Sequence, residues 1–213
     1  MKKKTIVLFG STRGLGAELI KYLNSEFKCI AVGSKNCDVT DEKQVESFLK
    51  SIHYDVVIYL AVNNVDSQIH KQTNENLIKQ LDVNIFGFLN ILRYCTPKFR
   101  NQKFGRIIYV SSILAKKPIK GTGVYSASKS FCEKIIETYS LENSKYGITA
   151  NTLQLGYFDS GLIKTVPKDI LSKIVDTTPL KRLGRPDELL SIIKTIIDTE
   201  FINGSIIPIN GGL

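Results

Sequence analysis

The sequence predicts an α/β protein: a doubly wound parallel sheet of about six strands with helices on both faces. Three observations predict it. Short apolar, β-branched runs alternate along the chain with segments of helical period. The runs are nearly continuous in apolar residues, as strands covered on both faces must be. The first of them passes through a glycine-rich turn directly into a helical segment.

Each element follows in order. Residues 5–9 read as the first strand, and Gly10-Ser11-Thr12-Arg13-Gly14-Leu15-Gly16 leads into a helix over 17–23. Strand, glycine turn and helix together make a phosphate cradle. Glycines let the backbone turn tightly and approach a pyrophosphate, and a helix N-terminus presents N–H groups to it. A second strand spans 28–32, a helix 41–51, a third strand 55–62 and one long helix 76–96. The fourth strand is 106–111, and the next helix, 126–146, stops at Gly147. A fifth strand (148–155), a helix (187–198) and a sixth strand (205–209) complete the alternation. Ligands of such sheets bind beyond the carboxyl ends of the strands, where both the glycine turn and Ser112 fall.

Composition bounds the function. A chain of 213 residues, 43% of them hydrophobic, is read as a single domain over 1–213. The net charge of +9 is dispersed, and the one lysine run, Lys2-Lys3-Lys4, reads as a solvated terminus. No basic stripe with interleaved aromatics is present, so no nucleic-acid partner is expected. Cys29, Cys37, Cys95 and Cys132 lack metal-type spacing and read as buried thiols of a reducing compartment, with no metal. No signal peptide or bilayer-length apolar stretch is visible, which predicts a cytoplasmic protein with no membrane association.

The most informative string is Ser112, thirteen residues before Tyr125, with Lys129 four residues further on. On a helix Tyr125 and Lys129 share a face, one turn apart. A lysine beside a phenol is expected to lower the phenol pKa toward working pH. Phenol, hydroxyl and ammonium can then act on one carbonyl.

These motifs, in this order, resemble those of the classical short-chain dehydrogenase/reductases, and in particular 3-oxoacyl-carrier-protein reductases, over nearly the whole chain. The glycine motif matches Gly10, Gly14 and Gly16, and the catalytic set matches Ser112, Tyr125 and Lys129. Asn84, in Asp82-Val83-Asn84-Ile85-Phe86-Gly87, matches the helix asparagine. Leu155-Gly156-Tyr157-Phe158-Asp159-Ser160 matches the late Pro-Gly segment. Residues 179–188 and the Asn210-Gly211-Gly212 ending also correspond. The resemblance implies a Rossmann-type fold and an oxidoreductase that moves hydride between nicotinamide and a carbonyl or secondary alcohol. Tyr125 would be the acid, Ser112 a donor to the carbonyl oxygen, and Lys129 a bond to the nicotinamide ribose. Asn84 would hold a relay water through its main chain. Cofactor contacts are implied for Gly10, Ser11, Thr12, Arg13, Gly14, Leu15, Gly16, Ser34, Lys35, Asp38, Val39, Ala61, Val62, Tyr125, Lys129, Gly156, Phe158 and Ser160.

The cofactor phosphate is argued from charge. The second strand ends Val32-Gly33-Ser34-Lys35-Asn36, with no carboxylate for a ribose 2′-hydroxyl. Arg13 and Lys35 could instead meet a 2′-phosphate, so NADP(H) is expected in preference to NAD(H). The chain also departs from the family. Cys37-Asp38-Val39-Thr40, the counterpart of the adenine-contacting segment, follows the second strand closely. The usual helix and edge strand between them are missing, which predicts six strands where the family has seven and a more open adenosine side. Tyr59-Leu60-Ala61-Val62 stands where Asn-Asn-Ala-Gly is usual, with Asn63-Asn64 just beyond. A short segment at about 157–182 is expected to cover a small-molecule or carrier-linked carbonyl substrate, such as a 3-oxoacyl group or a keto-sugar. A homodimer or homotetramer through the helices at 76–96 and 126–146 is expected from the family. The alternative function is a non-catalytic NADP(H)-binding sensor or scaffold on the same fold.

Overall fold

A computed structural model describes residues 3–213. Among them six strands, all parallel, form one sheet in the order β2-β1-β3-β4-β5-β6. The strands are β1 (Thr5–Phe9), β2 (Lys28–Val32), β3 (Val56–Tyr59), β4 (Gly105–Ser112), β5 (Ile148–Leu155) and β6 (Ile206–Ile209). The helices are α1 (Gly14–Leu23), α2 (Glu42–Ser51), α3 (Asn74–Leu81), α4 (Gly87–Gln102), α5 (Gly123–Asn143), α6 (Lys168–Thr177) and α7 (Glu188–Asp198).

Strand alternation sorts the core into two layers. Val7, Phe9, Val57, Tyr59, Ile107 and Tyr109 face α2, α4 and α5. Ile6, Leu8, Val56, Ile58, Ile108 and Val110 face α1 and α7. Every residue of β1, β3 and β5 is buried; β1 and β3 read as nearly unbroken apolar runs, while β5 carries the buried polar residues Thr149, Asn151, Thr152 and Gln154. The chain leaves β1 toward β2 on one side and returns to β3 on the other. The carboxyl ends of β1 and β3 therefore flank the topological switch, where doubly wound sheets open a ligand crevice.

The six-strand expectation holds, and β2 lies at the edge with Ser34, Lys35 and Asn36 exposed beyond it. Several boundaries differ. The third strand stops at Tyr59 because the chain leaves the sheet there, after Leu60 N donates to Phe9 O at 2.9 Å. The single long helix is divided: a π-helical turn, Asp82–Phe86, separates α3 from α4. Tyr59 Oη donates to Val83 O at 2.5 Å within that turn, so a strand side chain takes a helix carbonyl. The amphipathic run after 166 folds as α6, a helix without one buried residue.

The lysine run is not simply solvated. Lys2 lies outside the described residues, but Lys3 Nζ donates to Asn24 O and Ser25 O just past the end of α1. Lys4 pairs with Asp198 at 2.8 Å. Carbonyls at a helix C-terminus attract cations, and that draws Lys3 onto the fold.

Candidate active site

The glycine turn is built by close approach. Gly10 has φ +81°, and a Cβ there would come within 2.4 Å of Ala61 N. Gly10 N and Ser11 N both donate to Val32 O, at 2.9 and 3.1 Å. Ser11 is buried; its Oγ donates to Leu8 O at 2.6 Å and accepts from Val32 N at 3.0 Å. The Ser11 amide and hydroxyl are thus spent on joining β1 to β2, and the implied cofactor contact is corrected to a framework one. Gly16 is buried at the start of α1, and Leu15 packs into the α1/α7 layer. Thr12 and Arg13 are exposed, and Thr12 packs against Gly33 just past the end of β2.

The late segment closes over this turn. Gly156 N donates to Ile209 O at 2.9 Å, which fixes the exit from β5. Phe158 is buried in the α1/α7 layer, so its ring serves the core and not the crevice. Ser160 is buried with an Oγ that has no protein partner among the described residues. The next residue, Gly161, meets the start of α1: a Cβ on Gly14 would lie 3.0 Å from Gly161 Cα. A backbone cradle at a helix N-terminus with an orphaned buried hydroxyl beside it fits a pyrophosphate. At the adenosine side, Val39 is buried and its carbonyl accepts from Asn90 Nδ2 at 3.1 Å. Asp38 Oδ1 accepts from Thr40 N and Oγ1 at 2.9 and 2.8 Å.

Ser112, Tyr125 and Lys129 come together at the carboxyl end of β4. Ser112 ends the strand opposite Leu155 of β5, and its Oγ accepts from Leu114 N at 3.2 Å. Tyr125 lies in the first turn of α5, half-buried. Its pKa is raised, chiefly by burial; the Ser112 hydroxyl opposes this, while Asp66 and Tyr157 add to it. The expectation that Lys129 lowers it is corrected. Lys129 Nζ stands 5.8 Å from the Tyr125 ring centroid and donates to Val110 O at 2.8 Å. The ammonium is thus turned toward β4. Lys129 is itself buried, and burial pushes its pKa down to about 8, against weaker upward pulls from Cys132 and Glu133.

Asn84 sits inside the π-helical turn, buried. Its Oδ1 accepts from Asn63 N at 2.8 Å, its Nδ2 donates to Asn63 O at 2.9 Å and to Ser128 Oγ at 3.2 Å. Asn84 O accepts from Cys132 Sγ at 3.3 Å. The side chain therefore pins the loop carrying Ala61 and Val62, both half-buried at the crevice. π turns release a carbonyl from the helical ladder and recur at functional sites. Sequence reasoning did not single out Ser128 or Tyr109 for the site. Neither carries a local signal, because each acts through a partner distant in sequence.

The family model for enoyl-(acyl carrier protein) reductase, one of the short-chain dehydrogenase/reductase models, matches residues 5–213. The chain belongs to the short-chain dehydrogenase/reductase family. That membership makes it an oxidoreductase, as its motifs imply. Among curated relatives, the 3-oxoacyl-[acyl-carrier-protein] reductase MabA of Mycobacterium tuberculosis is 24% identical over 99% of this chain and 92% of its own. The acetoacetyl-CoA reductase of Shinella zoogloeoides is 28% identical over 98% of both. Among solved structures, a 3-oxoacyl-[acyl-carrier protein] reductase from Brucella melitensis superposes with a TM-score of 0.90 at 20% identity, covering 100% of this chain and 91% of that one. ElxO with NADP bound superposes at 0.89 and 20% identity, covering 99% and 98%. In this family member no helix among the described residues is long and apolar enough to cross a membrane, and no cluster of metal-ligating side chains occurs there.

Proposed function

We propose that this chain is an NADP(H)-dependent reductase of carbonyl compounds, folded as one domain over 1–213. The observation that carries the reading is the convergence of Ser112, Tyr125 and buried Lys129 at the carboxyl end of β4, on the same edge of the parallel sheet as the glycine turn. The reduced nicotinamide, when bound, supplies the hydride. Tyr125 Oη delivers the proton to the carbonyl oxygen, and Ser112 Oγ donates a hydrogen bond to that oxygen as charge develops on it. Burial keeps the Tyr125 phenol protonated at neutral pH, which suits the acid of a reduction. Lys129 supplies positive charge near the phenol and a donor to a ribose hydroxyl. Asn84 keeps the crevice loop in place through Asn63.

The turn following β2 holds Lys35 and no carboxylate, and Arg13 is exposed in the glycine turn. Paired cations without an acid favour a 2′-phosphate over a bare ribose hydroxyl; NAD(H) is the weaker ligand on this reading. The relatives' names favour a 3-oxoacyl thioester, with a keto-sugar as the second class. Residues 157–182 would cover it, with Leu162, Ile170 and Leu180 exposed toward an apolar chain. Phe86 and Phe131, exposed near α4 and on α5, fit a homodimer or homotetramer formed through those helices. Free cysteines, three of them buried, fit a reducing cytoplasm.

The test is a fluorescence titration with NADPH and NADH at fixed salt, followed by turnover of acetoacetyl thioester. Wild type is expected to bind NADPH more tightly, and Arg13→Glu with Lys35→Glu to abolish that preference. Tyr125→Phe should bind cofactor and lose turnover. Binding without turnover of any carbonyl, in wild type as in Tyr125→Phe, would instead establish the sensor reading.

A further inference from the structure

Phe9, Tyr59 and Tyr109 occupy matching register positions on β1, β3 and β4. Their rings therefore form one row across the face that α4 and α5 cover. Tyr59 and Tyr109 stack with centroids 6.3 Å apart and planes 14° from parallel. Phe88 of α4 closes on Tyr109 at 4.7 Å. Held by both neighbours and fully buried, the Tyr109 ring has a fixed orientation. Lys129 Nζ lies over it, 4.8 Å from the centroid.

That ammonium needs a partner. It is buried, and its one hydrogen-bond acceptor among the described residues is Val110 O. Glu133, one residue beyond Cys132 on the same helix, has Oε1 engaged by Ser111 Oγ at 2.6 Å and Gln154 Nε2 at 3.0 Å. We propose that Tyr109 is a positioning residue for Lys129, its ring face holding the ammonium in place and in charge beside Tyr125. An aromatic face attracts a cation through its quadrupole, and the attraction grows when water is excluded. Beyond carrying Ser112, β4 thus aims an aromatic face, fixed by strand register, at the reacting centre. The inference deepens the reductase reading and takes its functional meaning from it. Burial holds the Lys129 pKa down, with Cys132 and Glu133 pulling it partly back. The other groups around Lys129 are Tyr125, Cys132 and Glu133 on α5, Tyr59 of β3 behind Tyr109, and the Asn84 carbonyl at Cys132.

The experiment varies ring electronics at constant shape. Position 109 is made phenylalanine and, by non-natural incorporation, pentafluorophenylalanine. The Lys129 ε-carbon NMR signal, assigned by its loss in Lys129→Arg, is then titrated with pH. Tyr109→Phe is expected to titrate close to wild type. The fluorinated ring should move the midpoint down by on the order of one pH unit, with the alkaline limb of the rate profile moving alongside. Coincident midpoints for the phenylalanine and pentafluorophenylalanine forms would overturn the proposal and leave Tyr109 a core ring. The titration needs no turnover, so a chain that reduces nothing sinks the reductase reading and leaves this comparison intact.

Discussion

Asn84 holds the backbone of Asn63 by two hydrogen bonds, accepting from its N–H at 2.8 Å and donating to its carbonyl at 2.9 Å. One helix side chain thereby completes the hydrogen bonding of a loop that has left the sheet. Replacing it by alanine strands both Asn63 groups in a half-buried place, at a cost of about 1–3 kcal/mol. Asn84→Asp keeps the acceptor for Asn63 N–H but buries a carboxylate with an oxygen against Asn63 O, so its loss should be at least as large. Urea unfolding of the two variants measures the difference; an unchanged midpoint in Asn84→Ala would show that the clamp contributes nothing.

Gly10→Ala should be the most damaging change in the glycine turn. Its φ of +81° strains any side chain, and the added Cβ would meet backbone at 2.4 Å. Strain and clash together cost roughly 3 kcal/mol or more. Gly14, at φ +56°, is strained by a side chain too, but its added Cβ meets Gly161 Cα only at 3.0 Å, a far milder approach. That variant should fold and bind dinucleotide weakly. Equal denaturation midpoints for the two would contradict the argument.

The strands and helices were legible because burial on both faces writes β1 and β3 as apolar runs, and Ile148–Leu155 is recovered to the residue although half of it is polar. Ser112, Tyr125 and Lys129 were singled out by their spacing taken together with the glycine turn, and the fold gathers them at the end of β4. What spacing cannot carry is direction. Ser11 looks like a cofactor contact in the motif, yet both its donors turn inward to the framework. Lys129 looks like the partner of the Tyr125 phenol, yet its proton goes to β4. The π-helical turn leaves no sequence period of its own, since Asp82–Phe86 continues a helical pattern on both sides. Tyr109 reads as one more strand aromatic until strand register aligns it with Phe9 and Tyr59.

Arg106 separates backbone hydrogen bonding from ion pairing. It is buried on β4, donating to Ile197 O, Gly105 O and Gly147 O, each at 3.0 Å, and to Glu200 at 2.9 Å. The Glu200 side chain is 78% exposed, so solvent weakens the pair. Arg106→Lys leaves buried carbonyls unpaired and should cost about 2–4 kcal/mol. Glu200→Gln should shift the unfolding midpoint little. A larger effect from Glu200→Gln than from Arg106→Lys would reverse the assignment.

Lys129→Met should stabilise the fold while removing turnover. The ammonium is buried and its pKa is pushed down from 10.5 to about 8. Between those values the unfolded chain holds a proton that the folded chain has released, so wild-type stability rises with pH across that window. Below about pH 8 the folded protein carries the buried charge and bears the full penalty. Methionine fills the same space without charge, so at neutral pH the variant should gain roughly 1–3 kcal/mol after losing the Val110 hydrogen bond and the Tyr109 face. The gain should shrink toward zero as pH climbs to 10.5. Denaturation of both proteins at about pH 7 and about pH 10 reads this directly. A constant gap would mean that Lys129 is no more strained in the fold than in water, whereas a closing gap marks a charge kept in an apolar core for its chemistry.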